Sequence, residues 1–473
     1  MSRQADPQFS FADLQLRQSG VQLNPILQRI DSFLAQHAPL IERVRLDLNR
    51  GLKNPSTGRS GLTPSQTLRS LILMRVKNWD YRELRERIHD GITLRTFTDF
   101  DSRPVPQHDA FNRAFLRLTP DTLRAINQDV IQVAIQMELE DGKQLRVDTT
   151  VVETNIHHPT DATLLWDSVR TITRLVDGLD KKLPRGVKGF TKRTLSARRR
   201  MQAIQRMTSR QREQQQTPKY HQLIRITEQV VTQAKHVIGV AKRVRRVDEL
   251  TRAAINGICT EIASYCQLAS RVIDQTRRRV LEGETVPADE KVYSIFESHT
   301  DLIKRGKAQK PVEFGHKVFL AESAHGLITD YQVLEGNPVD SDSVRPSLER
   351  HKQIFDQAPE GYSADRGFYS EENVQSCKDA GVVEVCIPQK GGQKSAEQEE
   401  LERSRTFKKG QRFRVGIEGR ISVLFRGRGM KRCLSKGRER FEILVGAAVL
   451  ANNLMRIADL LEKRETKRRK AAA

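Results

Sequence analysis

A chain of 473 residues is long enough for two or three domains around a sizeable core and needs no disulfide or metal staple to fold. Lys and Arg total 81 against 59 for Asp and Glu, a formal net charge of +22, so a polyanion is the expected partner: neutralised phosphates release counterions and supply affinity without sequence readout. No apolar run approaches the roughly 20 residues that span a bilayer. Met1–Phe11 has no signal-peptide core, and 5% aromatic content argues against recognition by base stacking, leaving duplex DNA gripped through its phosphates.

Residues 1–50 read as partly flexible and then helical, with Leu23, Ile26, Leu27, Ile30, Phe33 and Leu34 on one apolar face. A break rich in Pro, Ser and Gly covers Asn54–Gly61. Thr63 then caps a helix with Pro64 in its first turn, carrying Leu68, Leu71, Ile72 and Met74. Further helices are predicted from Asp80, from about Thr93, from Gln107 to Leu118 and from Thr122 to Leu139. Short helices joined by tight turns, with Arg82 and Arg85 among several basic side chains, suit a helix-turn-helix bundle that contacts DNA; a solvated basic face is the plainer alternative.

Gln144–Asn155 is a strand pattern whose β-branched residues favour a half-buried backbone, and it places the carboxylate of Asp148 beside a core. Helices are predicted at Leu164–Leu183, Thr194–Gln214, Tyr220–Val244 and Val247–Gly283. From Lys181 to Arg212 a dozen Lys and Arg follow Asp180 with no acid up to that point, Arg198, Arg199 and Arg200 among them, and are candidate DNA contacts. Val312–Leu320 and Leu327–Leu334 form a hairpin, followed by a helix at Pro346–Phe355, a strand at Gly361–Asp365, a helix at Ser370–Ala380 and a strand at Val382–Pro388. That order means a mixed sheet covered by helices. Ile443–Ala451 reads as a buried helix, and Cys259, Cys266, Cys377, Cys386 and Cys433, with no C-x-x-C pair, as buried thiols in a reducing cytosol.

Two further acids join Asp148. Asp365 ends a strand just before a helix, the edge where sites form in sheets with strand–helix alternation. Glu418 is the sole acid between Glu402 and Glu439, on an amphipathic helix with Phe413, Ile417, Ile421 and Leu424 on one face and Arg414 one turn before it. Neutralisation by Arg414 explains Glu418 locally as well as a metal site does. Together, the three can converge on two divalent ions about 3.5–4 Å apart that activate a water or 3′-hydroxyl and stabilise the leaving oxygen of a phosphodiester.

Val147-Asp148-Thr-Thr, Ala364-Asp365-Arg-Gly-Phe-Tyr-Ser370 and Arg414-x-x-x-Glu418 resemble the three motifs of bacterial insertion-sequence transposases of the DDE class, in the insertion-sequence four/five-like superfamily. The resemblance implies a ribonuclease-H-like α/β catalytic domain at 141–460, with a helical insertion at about 160–285, an all-α DNA-binding domain at 1–140 and a basic tail at 461–473. Asp148, Asp365 and Glu418 would be catalytic ligands of Mg²⁺ or Mn²⁺, with Arg366 and Arg414 gripping phosphate or, for Arg414, orienting Glu418. The family's third motif often has a Tyr three residues before its Arg and a Lys seven after its Glu; here those positions are Gln411 and Phe425. Arg426, Arg428 or Lys431 could supply the phosphate contact instead, Arg420 is a further candidate DNA contact, and Glu439 is the alternative third acid. His157 and His158 follow the first strand closely enough to approach the site.

The implied activity is binding of terminal inverted repeats, cleavage at the element ends and joining to target DNA, by a homodimer or higher oligomer in the bacterial nucleoid, with no membrane partner. A ribonuclease-H-like nuclease without joining, or a catalytically inactive transposase-derived DNA-binding protein, are the competing readings.

Overall fold

The computed structural model describes residues 2–3, 22–55, 57, 59–244, 247–304 and 312–472. The chain divides into one unit formed by Met1–Glu153 with His316–Ala473, and a second formed by Thr154–Gly315.

The first unit begins with helices α1 (Pro25–Gln36), α2 (Ala38–Asn49), α3 (Pro64–Lys77), α4 (Tyr81–Asp90), α5 (Ile92–Phe97), α6 (His108–Phe115) and α7 (Pro120–Gln136). The starts of α1, α3, α4 and α7 are set by side chains that satisfy orphan amides, those of Asn24, Thr63, Asp80 and Thr119. Thr63 Oγ1 accepts from Gln66 N (3.1 Å) while Gln66 Oε1 accepts from Thr63 N (3.0 Å), closing a capping box on α3. Asp80 Oδ1 accepts from Arg82 N and Glu83 N, both at 2.8 Å, and starts α4. The expected helix at Gln107–Leu118 is shorter, ending at Phe115. Leu68, Ile72, Leu123, Ile126 and Val130 share one core with Ala447, Leu450, Ala451 and Leu454 of the last helix, α16 (Arg438–Ala472). The apolar stretch of α16 is thus core: its most apolar window is 72% buried.

Seven strands form a mixed sheet: β1 (Gln144–Thr154), β2 (Asp301–Lys304), β3 (Val312–Ser323), β4 (Ile328–Val333), β5 (Gly361–Ser363), β6 (Glu384–Cys386) and β7 (Arg432–Cys433). Their order is β2-β3-β1-β5-β6, with β4 on β3 and β7 on β1. β1, β5 and β6 are parallel, linked on the way by α12 (Val344–Phe355) and α13 (Glu371–Asp379), whereas β3 and β4 are the expected antiparallel hairpin. Leu145, Val147, Tyr362 and Ala364 pack in one cluster; Val152, Val318 and Leu320 pack in another with Ile417, Leu424, Phe441 and Val445. β2 was not expected from sequence, because four residues in a polar context give no periodicity. Nor was α14 (Ala396–Arg403), capped by Ser395.

Helix α15 (Arg405–Gly427) lies against this sheet at unusually close range. A Cβ on Gly410 would collide with Cys386 Sγ, and one on Gly416 with the Arg146 guanidinium, so both positions require the missing side chain. Glu322 on β3 is fully buried and takes Arg146 Nε (2.9 Å) and Nη2 (2.8 Å) from β1 and Arg420 Nε (2.7 Å) from α15. Arg146 Nη1 also donates to Phe413 O at 2.8 Å.

The second unit is mainly helical: α8 (Asp161–Asp180), α9 (Thr194–Gln205), α10 (Ser209–Ala241) and α11 (Glu249–Thr276), with Leu165, Val169, Leu223, Val230, Ile262 and Cys266 in its core. The expected break between Gln214 and Tyr220 is absent. It falls at Thr208 instead, where Thr208 and Gln211 form a second capping box, and α10 continues through Pro218. All five cysteines are buried and free.

Replacing Glu322 with Ala leaves the Arg146 and Arg420 guanidinia without their shared carboxylate. Breaking a buried pair this way costs about 3–5 kcal/mol, so Glu322→Ala should unfold at clearly lower denaturant than wild type, measured by circular dichroism. An unchanged midpoint would mean that the ionic contact does not hold α15.

Candidate active site

Strand register brings the two aspartates together. β1 and β5 pair in parallel with Arg146 opposite Ser363, so Asp148 and Asp365, each two residues further on, emerge side by side at the same sheet edge. Along β1 Val147 is buried, whereas Asp148 and Thr149 are both partly exposed. Asp365 Oδ1 accepts from Gly367 N (2.7 Å) and so caps the turn Arg366–Phe368. Ser370 Oγ accepts from Asn373 N (3.0 Å) and starts α13 just beyond it.

Helix α15 supplies the facing groups. Arg414 Nη1 stands 3.8 Å from Asp148 Oδ2, and its Nη2 donates to Glu418 Oε1 at 3.1 Å. One guanidinium therefore links the strand acid to the helix acid. The Asp148 side chain is 16% exposed and that of Glu418 63%, so Glu418 is the solvent-facing member. Gln411, at the position where the family pattern often has Tyr, donates from Nε2 to Ala364 O (3.1 Å) and Cys386 O (2.6 Å). It ties α15 to the backbone immediately before Asp365.

A further acid in this group, Asp340, escaped sequence reading. Its Oδ1 accepts from Thr149 Oγ1 (2.8 Å) and Lys317 Nζ (3.2 Å), and Lys317 also donates to Pro338 O (2.7 Å). A Cβ built on Gly367 would lie 2.9 Å from Asp365 Oδ1 and 3.1 Å from Asp340 Oδ2, so the two carboxylates flank the same glycine. Asp340 follows a hairpin in a Pro-containing loop and belongs to no spacing motif. Only its position at the same sheet edge marks it.

Burial pushes the Asp148 carboxyl up to about 6, the neighbouring charges of Asp365 and Asp340 push the same way, and the Thr149 amide and Arg414 only partly oppose them. Crowded oxygen donors of this kind suit a hard divalent cation. Among the described residues, the group whose three ligand atoms lie within 4.8 Å of one another is a different one, Glu140, Asp141 and His325. There Glu140 already accepts from the Asp141 and Gly142 amides, both at 3.0 Å, and from Ser323 Oγ. It braces the turn into β1.

The remaining expected contacts are spread widely. Arg366 is exposed beside Asp365. Arg420 is engaged by Glu322 and by Asn452 Oδ1 (3.2 Å). Arg428 is buried and donates to Val76 O (3.0 Å) and Gly427 O (2.8 Å). Arg426 and Lys431 are exposed near the end of α15, and Glu439 is exposed in the first turn of α16. Arg82 is exposed and Arg85 half-buried on α4. In the second unit Arg198 and Arg199 are exposed and Arg200 half-buried on α9. His157 Nε2 lies 3.3 Å from Asp167 Oδ2, and the His158 ring meets Phe314 edge-on at 5.6 Å, so both histidines are engaged within that unit.

A family model described as a transposase domain (DUF772) matches residues 20–117, the stretch that contains α1 to α6. The match supports a transposase, with DNA as its general partner. No curated protein and no solved structure matches the chain.

The Asp148 carboxyl should titrate near pH 6 when followed by carbon NMR in the metal-free protein. Because Asp365 contributes repulsion, Asp365→Asn should move that titration to lower pH. An unmoved midpoint would show that the two strand acids do not sense each other.

Proposed function

We propose that this chain is a DDE-type transposase of the insertion-sequence four/five-like superfamily, with a ribonuclease-H-like catalytic sheet. It would bind the terminal inverted repeats of its element, hydrolyse phosphodiesters at the ends and join the resulting 3′-hydroxyls to target DNA. One observation carries the reading: Asp148 and Asp365 emerge side by side from adjacent parallel strands, and Arg414 links Asp148 to Glu418.

Asp148, Asp365 and Glu418 would hold Mg²⁺ or Mn²⁺. Such ions, when bound, activate a water or hydroxyl and stabilise the leaving oxygen. The protein's own groups have separate tasks. Asp148 must lose its proton to serve as a ligand, which its position near pH 6 allows at neutral pH. Lys317 and Thr149 hold Asp340 at the edge of the acid group, where it adds negative charge. Arg414 bonds Glu418 and stands beside Asp148, and Arg366, exposed beside Asp365, is available to a phosphate.

The basic run supports a second contact with DNA. Of the dozen Lys and Arg between Lys181 and Arg212, all but Arg193 and Arg200 are exposed, and Lys192 pairs with Asp177 at 2.9 Å. The recombination itself requires two element ends in one complex, so the working form would be a homodimer or larger.

On DNA bearing the element's own ends, Asp148→Asn and Asp365→Asn should lose Mg²⁺-dependent nicking and strand joining while keeping binding, as resolved by sequencing gel and mobility shift. Wild type that binds the ends but never cleaves with Mg²⁺ or Mn²⁺ would leave a DNA-binding remnant; cleavage without joining would leave a nuclease. Affinity should also fall steeply with salt, and Arg198→Glu with Arg199→Glu should reduce the log–log slope by about 2, roughly 0.9 per phosphate contact. An unchanged slope would remove α9 from the DNA interface.

A further inference from the structure

Arg75, in the last turn of α3, is a buried cation without a counter-ion. Its residue is 9% exposed. Its Nε has no hydrogen-bond partner, and Nη2 makes one long bond, 3.4 Å, to Trp79 O. None of the ion pairs among the described residues includes it. Nearby Asp80 directs its carboxylate to the start of α4 instead. The ionisable groups that act on Arg75 are the phenol of Tyr81 and the thiol of Cys433, neither of them a carboxylate, and burial raises the phenol above its ordinary value. A guanidinium out of water with no carboxylate carries a desolvation penalty that structural hydrogen bonding here does not offset.

The same guanidinium lines a cleft of about 240 Å³ within the first unit. Met74, Trp79, Tyr81, Phe115 and Leu444 form apolar walls, and the Tyr81 and Phe115 rings stand 5.8 Å apart. Arg432 and Arg440 add two further cations to the lining against one carboxylate, that of Asp80. Asn78 and Leu434, both exposed, mark its open side. An uncompensated positive charge among aromatic walls suits a ligand with one anionic group on a flat apolar body. Phosphate matches the fork of a guanidinium, and an aromatic ring matches the walls.

We propose that this cleft binds a phosphate monoester that carries an aromatic ring, with Arg75 as counter-ion to the phosphate and the Tyr81–Phe115 wall against the ring. A free nucleotide and the 5′-phosphorylated end of a DNA strand both carry these two groups, a phosphate monoester and an aromatic base. The site is separate from the acid group of Asp148 and does not depend on its catalysing anything.

The test is calorimetry on the full chain with phenyl phosphate as probe. Wild type should bind it at least tenfold more tightly than inorganic phosphate, which lacks the ring. Arg75→Met should weaken it about ten- to a hundredfold, the range expected for a lost charge-assisted bond, and should melt at or above the wild-type temperature because an unpaired buried charge has gone. Absence of phenyl phosphate binding by wild type, equal binding by Arg75→Met, or a lowered melting temperature of that variant would each overturn the proposal. Should Arg75→Met not fold, Tyr81→Leu should lose the preference for phenyl phosphate over inorganic phosphate, and a retained preference would overturn it. Competition separates the sources: displacement of bound phenyl phosphate by a 5′-phosphorylated oligonucleotide and not by thymidine monophosphate assigns the cleft to a strand end, and the reverse assigns it to a free nucleotide. Asp148→Asn should bind the probe as wild type does, whether or not the transposase reading holds.

Discussion

Glu322 holds the architecture of the candidate site together. It sits at the centre of a buried Arg–Glu–Arg arrangement that joins β1, β3 and α15. Each guanidinium is needed twice: Arg146 also caps the Phe413 carbonyl, and Arg420 also reaches Asn452. Paired and hydrogen-bonded in this way, the charges are tolerable inside the protein, and the geometry they demand leaves α15 little freedom. Gly410 and Gly416 permit the close approach, and Gln411 fastens the helix to the carbonyls before Asp365. Arg414 therefore meets Asp148 because residues on either side of it are fixed to the sheet.

The same helix shows how one residue type does opposite jobs. Arg420 and Arg428 are consumed within the protein, one by Glu322 and one by carbonyls at the end of α3 and α15. Arg414 is shared between two site acids, while Arg366, Arg426 and Lys431 remain open to solvent. A strongly basic sequence thus separates into cations that build the scaffold and cations left for a polyanion. The acid group is their counterpart. Three aspartates stand close enough that burial and mutual repulsion hold Asp148 near pH 6, a tension that a divalent cation would relieve.

Much of this is legible in the amino-acid sequence. The strand around Asp148, the strand end and helix start around Asp365 and the amphipathic helix bearing Glu418 all follow from local periodicity and capping chemistry, and the structure has them as β1, β5 with α13, and α15. Register then did the rest, since parallel pairing of β1 with β5 cannot be read from either strand alone. What stayed hidden was long-range. Asp340 lies 191 residues from its Thr149 partner, and Glu322 gives no sign in its own strand that two arginines from elsewhere will meet it. Arg420 and Arg428 looked like phosphate contacts because a basic run carries no information about which side chains turn inward. The break expected between Gln214 and Tyr220 falls at Thr208 because the Thr208–Gln211 capping box starts α10 there, and the helix runs on through Pro218.

The central claim is that Asp148, Asp365 and Glu418 share one divalent cation site. It is tested most directly by replacing Mg²⁺ with Fe²⁺ and adding ascorbate and peroxide, so that hydroxyl radicals cut the polypeptide wherever the metal sits. The account predicts cuts clustered around residues 148, 365 and 418, suppressed by excess Mg²⁺ and absent in Asp148→Asn. Cuts confined to the neighbourhood of Glu140 and His325, or scattered without Mg²⁺ protection, would contradict it.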